Sequence, residues 1–180
     1  IEAYICNTHT PYTDALSLEA VRLVSGSLRD AVRDGSNMDA RTNMCWAEYM
    51  AGLAFSNAGL GLVHGIAHQL GGFYNIPHGL ANAILLPTIM EYNAPYTGEK
   101  YREIARAMGV EGVDAMGREA ACAAVKQLSQ DVGIPADLKA IVKEEDVQFL
   151  SESAYADACR PGNPRDTSVE EIAALYRSLM

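Results

Sequence analysis

Three of the four histidines in this sequence lie within fifteen residues, at positions 64, 68 and 78. Imidazole is a common ligand of Zn and Fe, and its ordinary pKa of about 6.5 also suits proton transfer. His64 and His68 are four residues apart, so on a helix they share one face. His78 comes after a glycine pair, where the chain could turn back and bring all three rings to one point.

A second interpretation is that these histidines have chance spacing and pack in the core or on the surface. The zinc protease motif needs a glutamate directly after its first histidine, and Gly65 stands there, so that chemistry is unsupported. Glycines surround the cluster at positions 59, 61, 65, 71, 72 and 79. Glycine weakens a helix, and it is expected where a ligand or another backbone comes close. Spacing and glycines alone leave a metal or ligand site and a packing role equally open.

The elements that would position these histidines are helices, because the apolar periodicity is helical almost throughout and no alternating strand pattern occurs. We predict an all-α domain of about eight to ten helices. Gly35, Gly59, the pair Gly71–Gly72 and Gly133 are expected to end helices, and Thr167 to Glu171 has the capping-box pattern. The predicted helices cover residues 1–5, 11–34, 37–58, 60–70, 77–91, 99–108, 114–132, 135–142, 144–159 and 167–180.

Composition narrows the possible partners and surroundings. A chain of 180 residues predicts one domain, and a net charge of −9 makes nucleic acid and anionic membranes poor partners. The most apolar stretch, Leu80 to Met90, contains Asn82 and Pro87 and is too short to span a bilayer. Four scattered cysteines without a CxxC motif indicate a reducing, cytoplasmic compartment, and most of them are expected to be buried.

The stretch from Gly61 to Gly79, GLVHGIAHQLGGFYNIPHG, resembles the signature of the iron-containing (group III) alcohol dehydrogenases. The continuation LANAILLP, the opening IEAY, the segment from Thr10 to Leu16 and the closing Asn163-Pro164-Arg165 are similar to that family too. The resemblance therefore covers essentially the whole chain. It looks closest to the lactaldehyde reductase and 1,3-propanediol dehydrogenase branch.

The resemblance implies the dehydroquinate synthase-like α-domain of a two-domain enzyme, whose α/β nucleotide domain this chain does not contain. Residues 1–180 would be the C-terminal helical metal-binding domain, without its first part, and the uncapped start at Ile1 agrees with that expectation. Family members hold one ion with an Asp and three His. Two of these ligands belong to a D-x-x-x-H motif that precedes the IEAY segment, so we expect this chain to supply the other two.

By the same resemblance, His64 and His78 are the metal ligands, for Fe²⁺ or Zn²⁺. His68 matches the histidine that lies near the nicotinamide and the substrate, so it is expected to contact the cofactor and to take part in catalysis. The complete enzyme would use NAD(P) to interconvert small primary alcohols or diols and aldehydes, and we expect it to be a homo-oligomer. The isolated chain is expected to be inactive.

Two alternatives stay open at this point. One is a zinc-dependent relative of glycerol dehydrogenase or dehydroquinate synthase, and the other is a non-catalytic helical interaction domain whose histidines pack or scavenge metal. Phe73 and Tyr74 could line a cleft or simply pack. The Asn163-Pro164-Arg165 loop is expected to be structural, and His9 to be a solvated loop residue.

Overall fold

The computed structural model describes all residues from 1 to 180, and it contains helices and no strand. Three short 3-10 helices, at Ala94–Tyr96, Glu144–Asp146 and Arg160–Gly162, accompany ten α-helices. The prediction of an all-α domain with eight to ten helices is therefore confirmed. In chain order the α-helices are α1 Glu2–Ile5, α2 Pro11–Arg33, α3 Met38–Ala58, α4 Leu62–Tyr74, α5 His78–Asn93, α6 Lys100–Ala107, α7 Val113–Met116, α8 Glu119–Asp131, α9 Val147–Tyr155 and α10 Val169–Ser178.

Several helix ends follow the local signals in the sequence. The Asn37 side chain accepts a hydrogen bond from the backbone N–H of Ala40 and so caps α3. Ser168 and Glu171 form the capping box that begins α10. Gly59, with a φ of 89°, ends α3 in a conformation that residues with a side chain rarely adopt.

Other predicted boundaries were wrong. Helix α4 continues through Gly71 and Gly72 and ends at Asn75, which takes the left-handed conformation that an αL cap requires. Helix α2 ends at Arg33 with Asp34 extended, so Gly35 is not its left-handed cap. Gly117, with a φ of 69°, divides the helix predicted over 114–132 into α7 and α8.

The segment 135–142 is not helical, although its apolar residues have helical spacing. The backbone N–H of Leu138 donates to the carbonyl of Leu179, and the Leu138 and Val142 side chains are buried in the core. In a helix, this N–H would bond to a carbonyl of the same helix. The tertiary hydrogen bond takes the place of that bond. The segment therefore serves as a docked loop beneath α10.

Two apolar clusters form most of the core, and α5 contributes to both. The larger cluster joins α4 and α5 to α9, α10 and the 138–142 segment, while the smaller one joins α1, α6 and α8. Ile84, Leu85 and Ile89 of α5 lie in the larger cluster, and Met90 lies in the smaller one. Helix α5 continues through Pro87 without interruption.

Helices α2 and α3 pack against each other and bury mainly small residues. An apolar cavity of about 590 Å³ lies beside them, and its lining includes Val24, Phe55 and Leu86 and reaches His64.

Taken singly, none of the helices has the length and apolar character that crossing a bilayer requires. Helices α3 and α4 meet that test only as a pair, bent by 104°.

Candidate functional site

Helices α4 and α5 bring the three clustered histidines together. His64 and His68 lie one turn apart on α4, and the turn at residues 75–77 places His78 at the first position of α5. The ring centroids of His64 and His78 are 5.3 Å apart, those of His68 and His78 are 5.6 Å apart, and those of His64 and His68 are 6.0 Å apart. All three rings therefore face one small volume.

Glu2 holds His64 in place from the other side. Its buried carboxylate accepts hydrogen bonds from the backbone N–H of Val63 at 2.7 Å and of His64 at 3.3 Å. The carboxylate oxygen Oε2, which accepts the backbone N–H of His64, also accepts the Nδ1–H of the His64 ring at 2.5 Å. This bond fixes the tautomer whose Nε2 lone pair is free, which is the arrangement typical of metal-ligating histidines. A carboxylate at this end of α4 also complements the helix dipole.

Sequence reasoning did not single out Glu2 as a functional residue. The available signal was a carboxylate within the apolar opening segment from Ile1 to Ile5. Its partners lie 61 and 62 residues further along the chain, so only the fold shows what it binds.

Asn163 completes the start of α4. Its Oδ1 accepts the backbone N–H of Leu62 at 3.3 Å and the Nδ2–H of Asn93 at 2.8 Å. The N-cap residue itself, Gly61, has no side chain to offer. A Cβ at Gly61 would lie 2.8 Å from Glu2 Oε1 and 3.1 Å from Asn163 Oδ1, so glycine is needed here to admit the two capping side chains.

His68 has its own carboxylate partner, Asp157, in the loop after α9. The His68 Nδ1 lies 2.9 Å from Asp157 Oδ2, which also accepts a hydrogen bond from Gln69 Nε2 at 3.2 Å. An ionised carboxylate accepts hydrogen bonds, so Nδ1 carries the proton and Nε2 offers a lone pair. The His68 side chain is 40% exposed and its ring stacks on that of His78, so it joins the cluster to solvent.

His78 lies at the N-terminus of α5, and its environment favours the neutral ring. Although His78 is exposed, partial desolvation lowers its pKa below its ordinary value, and the neighbouring His64 and His68 lower it further. Its Nε2 accepts a hydrogen bond from Asn82 Nδ2 at 3.1 Å, and the same amide also donates to the His78 carbonyl. The neutral imidazole is the form that ligates a metal, and ligation through this Nε2 would displace the hydrogen bond from Asn82.

The His64–His78 pair fits a shared divalent ion. Two imidazoles that bind one ion at about 2.1 Å with a tetrahedral angle have ring centres about 5 Å apart. The observed separation is 5.3 Å, and Glu2 leaves the Nε2 of His64 free. Two nitrogens are fewer than the three or four protein ligands of typical sites, so this pair alone would not complete a coordination shell.

The remaining predicted residues lie outside this cluster. The Tyr74 hydroxyl donates to Asp146 and accepts from the backbone of Lys143, which shows a packing role, while half-exposed Phe73 packs on Phe149. Arg165 lies over the Tyr92 ring and pairs with Glu171 at 2.7 Å, as expected of a structural loop.

The cysteines show no sign of nucleophilic activation. Cys6 and Cys122 are buried, Cys159 is half-buried and Cys45 is exposed. Burial raises the pKa of Cys122 to about 11, and burial together with Asp157 raises the pKa of Cys159 to about 11. The Cys159 thiol beside the histidines is therefore protonated near neutral pH.

Comparisons with known proteins match the whole chain. The C-terminal model of the Fe-containing alcohol dehydrogenase family matches residues 1–180. Lactaldehyde reductase of Escherichia coli K12 is 50% identical over 183 residues, which cover 99% of this chain and 47% of that protein. The 1,3-propanediol dehydrogenase of Klebsiella pneumoniae is 46% identical over 181 residues, covering 98% of this chain and 47% of the relative.

A solved structure of a 1,3-propanediol oxidoreductase superposes with a TM-score of 0.95 at 46% identity, over 99% of this chain and 48% of its own. The chain therefore spans about half the length of the relatives it matches.

Proposed function

This chain belongs to the iron-containing alcohol dehydrogenase family, and on that premise we propose that it is the metal-binding part of an enzyme that interconverts small alcohols or diols and aldehydes. NAD(P) would accept or donate the hydride. The observation that carries the proposal is the convergence of His64 and His78, at 5.3 Å between ring centroids, with Glu2 behind the first ring.

In this proposal His64 and His78 hold Fe²⁺, or Zn²⁺ as the alternative. The ion, when bound, would supply Lewis-acid catalysis by polarising the alcohol or carbonyl oxygen. Glu2 accepts the Nδ1–H of His64 and so orients the ring and raises the basicity of its Nε2. The lowered pKa of His78 favours the neutral ring, which is the form that ligates.

His68 takes part through its Nε2 nitrogen. Asp157 holds the Nδ1–H, so Nε2 is the atom that accepts the hydroxyl proton when an alcohol is oxidised, and returns it when an aldehyde is reduced. The partial exposure of the ring lets this proton pass to water. In the family resemblance this histidine also faces the nicotinamide, and we assign His68 that contact.

The names of the relatives support the proposal that the substrates are small molecules. Lactaldehyde and 1,3-propanediol are three-carbon compounds, and the relatives named for them are 50% and 46% identical to this chain. We propose that the whole protein acts on small primary alcohols or diols of this kind, as a homo-oligomer. The 180-residue chain alone has two histidine ligands at the site, and we expect it to show no alcohol-dependent reduction of NAD(P).

Anaerobic equilibrium dialysis of Fe²⁺ against the chain tests the metal assignment. His64→Ala and His78→Ala should each lower the Fe²⁺ affinity at least ~10-fold, since loss of even an outer-shell partner has effects of that size. His9→Ala is the matched control, because His9 is an exposed histidine paired with Asp14 away from the cluster. Unchanged binding in both cluster variants would overturn the assignment, and NADH formation from alcohol by the chain alone would contradict its expected inactivity.

A further inference from the structure

A second group of side chains of the types that ligate metals lies at the Nδ1 edge of the His68 ring. It consists of His68, Asp157 and Cys159, and one ligand atom from each lies within 4.8 Å of the others. The group combines a nitrogen, a carboxylate oxygen and a sulfur. Neither His64 nor His78 belongs to it, and the proposed reaction gives Cys159 no role.

The backbone after α9 fixes this group before any ion arrives. Asp157 Oδ1 accepts the backbone N–H of Cys159 at 2.8 Å, and the Asp157 carbonyl accepts the N–H of Arg160 at 3.2 Å. The His68 ring is held to the same carboxylate through Nδ1. Asp157 and the Cys159 backbone are thus already placed, and the ion would take the position of the proton between His68 Nδ1 and Asp157 Oδ2, which limits the reordering that binding needs.

We propose that His68, Asp157 and Cys159 form a second metal site, selective for a thiophilic divalent cation such as Zn²⁺ or Cd²⁺. Sulfur with imidazole and carboxylate is a donor set that suits tetrahedral Zn²⁺, with water as the fourth ligand. A thiolate and a carboxylate together also neutralise the two positive charges. The 40% exposure of the His68 side chain leaves a route of entry for the ion.

Binding is accompanied by one proton release and one proton shift. The Cys159 thiol gives its proton to water as its sulfur forms the bond to the cation, because a coordinating thiol is deprotonated. His68 binds through Nδ1, the nitrogen that faces Asp157, and its proton moves to Nε2. No oxidant or reductant is involved.

One consequence rests on the proposed function. With its proton on Nε2, His68 no longer accepts the hydroxyl proton, so a cation at this second site inhibits the enzyme. The site therefore provides a means by which excess Zn²⁺ or Cd²⁺ lowers activity without displacing the ion held by His64 and His78.

Titration of the chain with Cd²⁺ tests the site directly, because cadmium–thiolate bonds have ultraviolet charge-transfer absorption that histidine ligation lacks. The wild-type chain should develop this band with about one equivalent of Cd²⁺, and Cys159→Ser should abolish it. Cys45→Ser is the matched control, since Cys45 is an exposed cysteine on α3. His64→Ala should keep the band, which separates this site from the His64–His78 pair.

The proposal is overturned if the wild-type chain shows no band, or if the band survives in Cys159→Ser. If Cys159→Ser folds poorly, a second measurement on the wild-type chain still tests the site. In the wild-type chain, under treatment long enough for iodoacetamide to alkylate Cys159 without metal, Cd²⁺ should protect Cys159 but not Cys45, and equal alkylation of Cys159 with and without Cd²⁺ would also overturn the proposal. Neither readout depends on Fe²⁺ binding, so the proposed function and this inference fail independently.

Discussion

Asn93 and Asn163 form a reciprocal pair of hydrogen bonds in the interior of the protein, each side-chain amide donating to the other's carbonyl oxygen at 2.8 Å. The two residues are seventy positions apart and both are buried. Asn163 also caps α4 through Leu62, while Asn93 ends α5. The pair therefore ties the end of one histidine-bearing helix to the start of the other.

We expect Asn163→Ala to destabilise the protein by about 2–4 kcal/mol, because it leaves several buried polar groups without partners. Asn93→Ala should have a smaller effect, because Asn163 keeps its bonds to Leu62 and Arg165. A double-mutant cycle measured by urea unfolding should give a coupling of about 0.5–3 kcal/mol. Additive losses would show that the two amides act independently.

Glu2 provides a second prediction. Glu2→Gln keeps the size of the side chain, but it replaces one acceptor oxygen by a donor that faces the N–H groups of Val63 and His64. The free energy of unfolding should fall by about 1.5–3 kcal/mol, the usual range for hydrogen bonds to charged groups. Glu48→Gln, on the exposed surface of α3, should change it by less than about 0.5 kcal/mol. Equal unfolding midpoints for the two variants would refute the role given to Glu2.

Gly162 should be intolerant of any side chain. A Cβ there would lie 2.1 Å from the Leu60 carbonyl oxygen and 2.9 Å from Cys6 Sγ. Gly162→Ala must push the loop away from the start of α4, and we expect a loss of about 1–3 kcal/mol or more.

Gly26 is the matched comparison for Gly162, because it lies exposed within α2 and has nothing within 4 Å of its Cβ position. Gly26→Ala should stabilise the helix by about 0.5–1 kcal/mol. Thermal unfolding should therefore move in opposite directions for the two substitutions.

Thiol reactivity in the metal-free chain should differ sharply between Cys45 and Cys159. Cys45 is exposed, whereas the pKa of Cys159 is raised to about 11 by burial and by Asp157. A rise of about two units lowers the thiolate fraction near neutral pH about 100-fold. Peptide mapping after brief treatment with iodoacetamide should find the label on Cys45 first. Equal labelling of both would show that Cys159 is not shielded in this way.

Local signals in the sequence were enough for the helical class and for several helix ends, such as the Asn37 cap and the box at Ser168 and Glu171. They failed where tertiary contacts decide the structure. Residues 135–142 have helical spacing, but the Leu138 N–H binds the Leu179 carbonyl instead. Helix propensity is a weak preference, and a docked loop with buried side chains overrides it.

The histidine cluster could be proposed from spacing, since His64 and His68 share a face and His78 follows a turn. The residues that orient the cluster could not be predicted from spacing. Asp157 is 89 positions from His68, and Asn163 is 101 positions from Leu62. Nothing in one sequence shows which distant carboxylate or amide approaches a given helix end, so these partners become visible only in three dimensions.

The position of α5 between the two apolar clusters has a consequence for how the protein opens. We expect each cluster to loosen while the other stays closed, because the helix gives different buried residues to each and the partly buried Leu86 alone packs against both. Proteins commonly open in such cooperative parts. The amide protons of α9 and α10 should therefore exchange with deuterium as one group and those of α6 and α8 as another, while those of α5 exchange only when both groups have melted.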